Sequence, residues 1–339
     1  EGVEGMKLIE KIANGHPLNQ DEAFEAAMGM LMDPGEAETA AILIGMRVRG
    51  EKADEIAGFA KALRHMCIKV PLEVDAIDTA GTGGDGVGTI NVSTASALLA
   101  AYLGVKVLKH GNRSVSSSSG SADFLESLGF NISLSPGAVA EMINKINFGF
   151  AFAQLYHPAM KAVAPIRKKL GVRTVFNLVG PLSNPGMVRK QVMGVAAPQL
   201  LDEIAEAAVL LGYDRLMLIH GEPGIDEASV VGETTVVDVK GSGVEKYKID
   251  PNDLGLPRRR IEDLLAANPR DSALKVMDGL MNRNQAVRDF IAINTAFALL
   301  VGGRARDLRD GVEQAIQAIE EGGVAGFIER AAEVSRNAS

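Results

Sequence analysis

The stretch Asp78–Asn112, DTAGTGGDGVGTINVSTASALLAAYLGVKVLKHGN, decides how the chain is read. Within it Gly81, Gly83, Gly84, Gly86 and Gly88 fall inside eight positions. A strand over 74–79 leads into this run, a helical pattern follows at 92–103, and a β-branched strand at 105–108 ends on Lys109. Strand, glycine loop, helix and strand in that order predict a mostly parallel sheet covered by helices. One or two glycines make a turn. Five let backbone N–H groups converge on an anion with no Cβ in the way, and the helix start behind them adds partial positive charge. The stretch reads as a phosphate cradle.

Two familiar phosphate loops serve as tests. The GxxxxGK[ST] pattern of a P-loop is missing, whereas Gly81, Gly83 and Gly86 match GxGxxG, so a dinucleotide oxidoreductase is a rival. That reading requires an acid at the end of the next strand to hold a ribose. The position instead carries Lys109-His110-Gly111-Asn112-Arg113, which suits phosphate. Asn91, Ser93, Thr94 and Ser96 open the helix, where hydroxyls can bond phosphate oxygens or a hard cation. Helix capping accounts for one of them but not for the group. A second loop, 114–121, holds six serines in eight residues and again precedes a helix.

Working outward, residues 1–70 read as four helices without strands. Leu8, Ile9 and Ile12 form one stripe; Asn19 to Glu22 resembles a helix start ahead of Phe24, Ala27, Met28 and Leu31. Ala40, Ile44 and Val48 are the expected buried row of the third helix, and Ile56, Phe59, Ala60 and Leu63 that of the fourth. Met28, Met30, Met32 and Met46 read as core filler. Past Pro71, helices at 121–128, 136–146 and 199–211 alternate with strands at 148–153, 216–219 and 234–239. The end of the chain is helical again, at 272–280, 286–300, 312–320 and 325–334. Residues 241–243 and 250–260 read as surface loops, with Arg258–Arg260 a solvated face.

Forty-three acidic against 35 basic residues give a net charge of −8, which argues against a broad surface for nucleic acid or anionic membrane. The single cysteine, Cys67, can form no internal disulfide and no CxxC zinc site, and is expected as a buried thiol. No apolar run reaches the roughly 20 residues of a membrane span, so a soluble cytoplasmic protein is expected.

GTGGD at 81–85, NVST at 91–94, KHGNRSVSS at 109–117, GSAD at 120–123, NLVGPLSNP at 177–185 and GEPGIDE at 221–227 resemble, in order and spacing, the anthranilate phosphoribosyltransferases. The resemblance covers nearly the whole chain. It implies an α/β fold of nucleoside-phosphorylase-like type: a small helical domain over 1–72, joined by helices from about 158–182, and a large domain over 73–157 and 183–339. It implies Mg2+-dependent transfer of phosphoribose from phosphoribosyl pyrophosphate to anthranilate in tryptophan biosynthesis, by a homodimer. It carries no expectation about anthranilate synthase components as partners.

Carried over by position, Gly81, Gly84, Asp85, Thr89, Asn91, Val92, Ser93, Thr94, Lys109, His110, Gly111, Asn112, Arg113, Ser114, Val115, Ser116, Ser117 and Ser121 would contact phosphoribosyl pyrophosphate. Ser93 and Glu227 would hold one Mg2+, and Asp226 with Glu227 a second. Asn112 and Arg167 would meet anthranilate, with Gly81, His110, His157, Gly180 and Pro181 beside it. Many relatives carry Lys where this chain has Ser118, a departure that weakens the phosphate contact expected there.

The residues support part of this independently. Asp226-Glu227 follows an apolar strand and a Gly/Pro turn, which would present two hard oxygen ligands at a strand's carboxyl end. Alone the pair would read as an exposed acidic turn. Arg167 can grip a carboxylate bidentately, although nothing local singles it out from Lys161, Lys168 and Lys169. His157, before Pro158, fits capping or packing equally well. No general base is assigned, because an arylamine is neutral near pH 7. Besides the dinucleotide reading, a nucleoside phosphorylase of the same fold is the alternative; it would need neither Arg167 nor the second carboxylate.

Overall fold

The computed structural model describes residues 2–114 and 120–338, with side chains from Lys7 onward. Four helices open it: α1 (Gly2–Ala13), α2 (Gln20–Met32), α3 (Glu36–Arg49) and α4 (Ala53–Met66). The start of α2 is fixed by a capping box. Asn19 Oδ1 accepts from the Glu22 amide at 2.9 Å, and Glu22 Oε2 accepts from the Asn19 amide at 2.8 Å. On α4, Ile56, Phe59, Ala60 and Leu63 are all buried, as the periodicity predicts.

On α3 the expected row is the wrong one. Thr39, Ile42, Leu43 and Met46 face inward, while Val48 is 82% exposed. Both rows satisfy helical spacing, and the choice is made by shape: Ile12 of α1 seats where a Cβ on Gly45 would be. Met32, at 69% exposure, is not core filler, whereas Met30 and Met46 are. Cys67, just past α4, is half-buried and its Sγ lies 3.3 Å from the Arg64 carbonyl.

Beyond it come β1 (Ile77–Gly81), α5 (Val92–Tyr102), β2 (Val107–Gly111), α6 (Ser121–Ser127), α7 (Pro136–Ile146) and β3 (Phe148–Phe152). They are followed by α8 (Ala153–Tyr156), α9 (Met160–Leu170), α10 (Val175–Val179), β4 (Lys190–Gly194), α11 (Leu201–Leu210) and β5 (Arg215–Gly221). Then come β6 (Thr234–Lys240), β7 (Gly243–Ile249), α12 (Pro269–Leu280), α13 (Gln285–Val301), α14 (Leu308–Glu321) and α15 (Val324–Asn337). The seven strands form one sheet in the order β3-β2-β1-β4-β5-β6-β7. The first five in that order pair in parallel; β6 and β7 add on antiparallel.

Two strands were not anticipated. In β4 the run carries Gln191, fully buried because its amide donates to the Pro181 carbonyl and its oxygen accepts from Tyr213. In β7 Gly243 opens a strand instead of closing a loop, and Glu245, Lys246 and Lys248 mark it as a charged edge. Within 250–260, Arg258 pairs with Asp250 and Arg260 with Asp263 at the surface, whereas Arg259 reaches the fully buried Asp289 at 2.7 Å.

The sheet separates two cores. Along β5, Met217 and Ile219 face one side and Leu216 and Leu218 the other, the two-residue alternation of a strand. One side is filled by α5, α7 and the apolar α13, buried on all faces. The other side joins α11 to the N-terminal helices and to Val163, Val175 and Phe176 of α9 and α10. Strand order runs outward from β1 through β2 and β3, then restarts at β4 on β1's other edge. Such a reversal opens a crevice at the carboxyl ends of β1 and β4, where ligands of open α/β sheets bind. Among the described residues no helix is long and apolar enough to cross a membrane.

Candidate active site

Every parallel strand around the crevice except β3 ends in glycine: Gly81, Gly111, Gly194 and Gly221. The reason is close approach. A Cβ on Gly194 would overlap the Asp226 carbonyl, and one on Gly81 would overlap the Asp226 carboxylate. The turn after β5, closed by a bridge between Gly221 and Ile225, thereby delivers Asp226 against the ends of β1 and β4 and the Glu227 backbone against the end of β5.

The glycine loop itself turns through left-handed backbone, with φ of +63° at Gly83 and +79° at Gly84. The Gly83 amide donates to Asp226 Oδ2 at 2.8 Å. Asp85 accepts from the Val87 amide at 3.0 Å and from the Asp226 amide at 3.4 Å, so it stiffens the loop. Thr89 is pinned in a bridge to Leu265. Asn91 caps α5, accepting from the Thr94 amide at 3.2 Å. Val92 is wholly buried. Ser96 turns away and bonds the Val92 carbonyl, leaving Ser93 and Thr94 as the hydroxyls of the first turn. Thr94 Oγ1 is buried with no partner among the described residues.

Lys109 lies beneath this loop at 2% exposure. Its Nζ donates to the Thr79 carbonyl and to Ser93 Oγ, the latter at 3.2 Å. Burial pushes its pKa down, and Asp78, Glu227 and Asp226 oppose that shift. The carboxylates are displaced the other way. Burial, then Asp85, push Asp226 up to about 7; burial, then Asp226, push Glu227 well above the usual range. One ammonium is therefore shared among three acids. Among the described residues no three His, Cys, Asp or Glu are placed to hold a metal as an all-protein cage. Two carboxylates and the Ser93 hydroxyl around one lysine are an open, hard-oxygen set of the kind completed by phosphates and water.

At the second loop, Asn112 Oδ1 accepts from the Arg113 amide at 2.8 Å and from Gln154 at 3.3 Å. Ser121 Oγ donates to the Asn112 carbonyl at 3.3 Å, packed where Gly111 lacks a Cβ. The Ser114 amide donates to Asp123 at 3.2 Å. Arg113 is turned outward, paired with Asp123 at 2.6 Å and Glu126 at 2.7 Å. Val115, Ser116, Ser117 and Ser118 lie outside the described residues.

On the opposite wall, the buried rings of His110 and His157 sit 4.9 Å apart. His157 Nε2 donates to the Ser183 carbonyl at 3.0 Å, and Ser183 Oγ donates to the Gly180 carbonyl at 2.8 Å. Burial holds His157 down at about 4. Burial and then His157 hold His110 well below the usual histidine range, while the Gly180 backbone acts against them; His110 Nε2 has no partner among the described residues. Both rings are neutral at pH 7. Pro181 is fixed by its bond from Gln191. Arg167 is half-buried with its guanidinium 5.4 Å from the Phe176 ring centroid. Three residues unmarked by the sequence complete the arrangement: Asp78, Asn184 and Arg173. Asp78, fully buried and raised to about 6 by that burial, accepts from the His110 amide at 3.2 Å and from Asn184 at 2.8 Å. An acid inside the apolar segment AIDTAG was the available signal for it.

A bundle of helices and a switch-point crevice lined by a glycine loop are parts found in a glycosyl transferase. The family models described as "Glycosyl transferase family, helical bundle domain" and "Glycosyl transferase family, a/b domain" match residues 6–67 and 73–325. The chain belongs to the anthranilate phosphoribosyltransferase family. It is 61% identical over 308 residues to the anthranilate phosphoribosyltransferase of Caldivirga maquilingensis, covering 90% of this chain and 91% of the relative. It is 48% identical to that of Pyrobaculum aerophilum, over 93% of this chain and 94% of the relative. The solved enzyme of Thermus thermophilus superposes with a TM-score of 0.91 at 38% identity, covering 97% of this chain and 99% of that one. The Saccharomyces cerevisiae enzyme, solved in complex with PRPP and Mg, superposes at 0.88 with 26% identity and 99% coverage of both chains.

Proposed function

We propose that the chain transfers the 5-phosphoribosyl group of phosphoribosyl pyrophosphate to the amine of anthranilate, releasing pyrophosphate, as a step of tryptophan biosynthesis. The observation that carries this reading is the meeting of the glycine loop, Ser93 and the Asp226-Glu227 turn around the buried Lys109. Two half-buried carboxylates pushed above their ordinary pKa lack positive charge. Their hard oxygens, with Ser93, suit Mg2+. Ser93 with Glu227 would hold one ion and Asp226 with Glu227 a second; when bound they supply charge opposite the departing pyrophosphate.

The protein's own residues do the remainder. Loop amides at Gly81–Asn91, together with Val92, Ser93 and Thr94, bind the diphosphate, and Lys109 adds its charge from beneath. Asn112 to Ser117 and Ser121 take the second phosphate of the donor. Arg167 and Asn112 grip the anthranilate carboxylate, while Gly81, His110, His157, Gly180 and Pro181 shape the ring's slot and exclude water. The neutral amine is thereby held against ribose C1, a contribution of positioning. The helices α1–α4 with α9 and α10 form the smaller domain of this reading, packed through one core on α11 and that face of the sheet. The exposed Met32, Val48 and Val172 on this helical side favour a homodimer, and a single cysteine with no internal disulfide partner suits the cytoplasm.

The test is the loss of anthranilate fluorescence when phosphoribosyl pyrophosphate and Mg2+ are added to the purified protein. Steady loss is expected. No turnover, or phosphorolysis of nucleosides in its place, overturns the reading in favour of the phosphorylase alternative.

A further inference from the structure

Arg173 stands in the turn between α9, which carries Arg167, and α10, which leads to Gly180 and Pro181. Its guanidinium does not stay there. Nη2 crosses to the glycine loop and donates to the Thr82 carbonyl at 2.6 Å. Nη1 lies in the space left by the missing Cβ of Gly84, so the loop's second left-handed glycine is also the seat of this side chain. The same guanidinium feels the Asp226 carboxylate, which already holds the Gly83 amide at 2.8 Å.

Farther along, Gly88–Ile90 are tied to residues 264–266, but Thr82 itself is otherwise anchored from one side. The Thr82 amide donates to the Gly194 carbonyl at 2.9 Å and its hydroxyl accepts from the Ala196 amide at 3.1 Å, both at the end of β4. Behind the loop is a cavity of about 200 Å³ lined by Arg47, Glu51, Thr82, Gly84, Arg173 and Asn177, so no packed core supports it there. The turn at Gly83–Gly84 is thus fixed by two side chains from elsewhere, Asp226 in front and Arg173 behind.

We propose that Arg173 is a positioning residue that couples the acceptor-side helices to the donor loop, holding Thr82–Gly84 in the conformation whose amides receive the diphosphate. It touches no substrate. A guanidinium serves because its planar fork can bond a carbonyl and lie along the adjacent backbone at once, which an ammonium cannot. The inference rests on the reaction proposed above.

Three measurements test it: PRPP affinity by calorimetry with Mg2+, the two Michaelis constants, and rescue by added guanidinium ion. In Arg173→Ala the PRPP Kd and KM are expected to rise at least tenfold, with anthranilate KM within twofold, and millimolar guanidinium is expected to restore part of the loss. A PRPP Kd within twofold of the unmodified protein overturns the proposal. So does an equal rise in both Michaelis constants, the mark of a merely structural brace. Should Arg173→Ala not fold, Arg173→Lys is read by the same PRPP criterion. The unmodified protein is assayed first; its failure to turn over anthranilate counts against the proposed reaction, while PRPP affinity still judges Arg173.

Discussion

The two walls of the crevice are made differently. The wall proposed for the donor is backbone: Gly81 to Thr94 is continuous in sequence, its direction set by left-handed glycines and a helix start. The wall proposed for the acceptor is side chain: His110, His157, Arg167 and the Gly180 turn come from separate elements and are held by a buried ring pair and a cation over Phe176. A diphosphate is bound by many equivalent donors and needs a shape the chain can encode locally. A small aromatic acid needs a few groups at set distances, which only tertiary packing supplies.

The contrast can be broken at four points. The largest effect belongs to the donor side: Asp226→Ala with Glu227→Ala should lower turnover by about a thousandfold, the order seen for loss of a main electrostatic group. The residual rate should be nearly independent of Mg2+. Steady-state assays across Mg2+ concentrations check this, and an unchanged rate removes the pair from the site.

Next is the pH response of the acceptor wall. His157 has its folded pKa depressed to about 4, so the unfolded chain binds the extra proton between the ordinary histidine value and that point. Stability should therefore fall as pH drops from about 6.5 to 4, by roughly 2–3 kcal/mol for this one group. Thermal melts of the unmodified protein and His157→Gln over that range give the test; the variant should lose less. Equal slopes would place His157 outside the linkage.

A smaller change is expected for Arg167→Ala, which should raise anthranilate KM about tenfold or more with little effect on the PRPP constant. A loss confined to the PRPP constant would put Arg167 on the other wall. The smallest is Arg113→Ala. Because Arg113 is exposed and engaged by Asp123 and Glu126, the PRPP KM should move less than about threefold. A tenfold rise would place Arg113 among the donor's ligands.

The same contrast governs what could be read without a structure. The glycine loop between strand and helix, the parallel sheet and the helix start at Asn19 each depend on neighbours within a few positions, and each was legible. The inward face of α3 was not, because Gly45 and Ile12 decide it across a helix–helix contact. Strand β4 escaped because Gln191 looks like a surface residue until Pro181 and Tyr213 satisfy it. Arg173 had no local mark at all: its meaning lies in Thr82 and Gly84, some ninety positions earlier. Lys109 was picked out for its charge, but its burial under Ser93 could not be inferred from a strand end alone.

The strand-end glycines carry one more consequence, for anyone wishing to redirect the enzyme. The proposed acceptor slot has side chains to exchange, so its preference should be tunable one position at a time. The proposed donor cradle offers almost none: at Gly81 and Gly194 the only available change is an added atom, and that atom would displace Asp226. Selection experiments on this scaffold should accordingly yield new nucleophiles far more readily than new sugar donors.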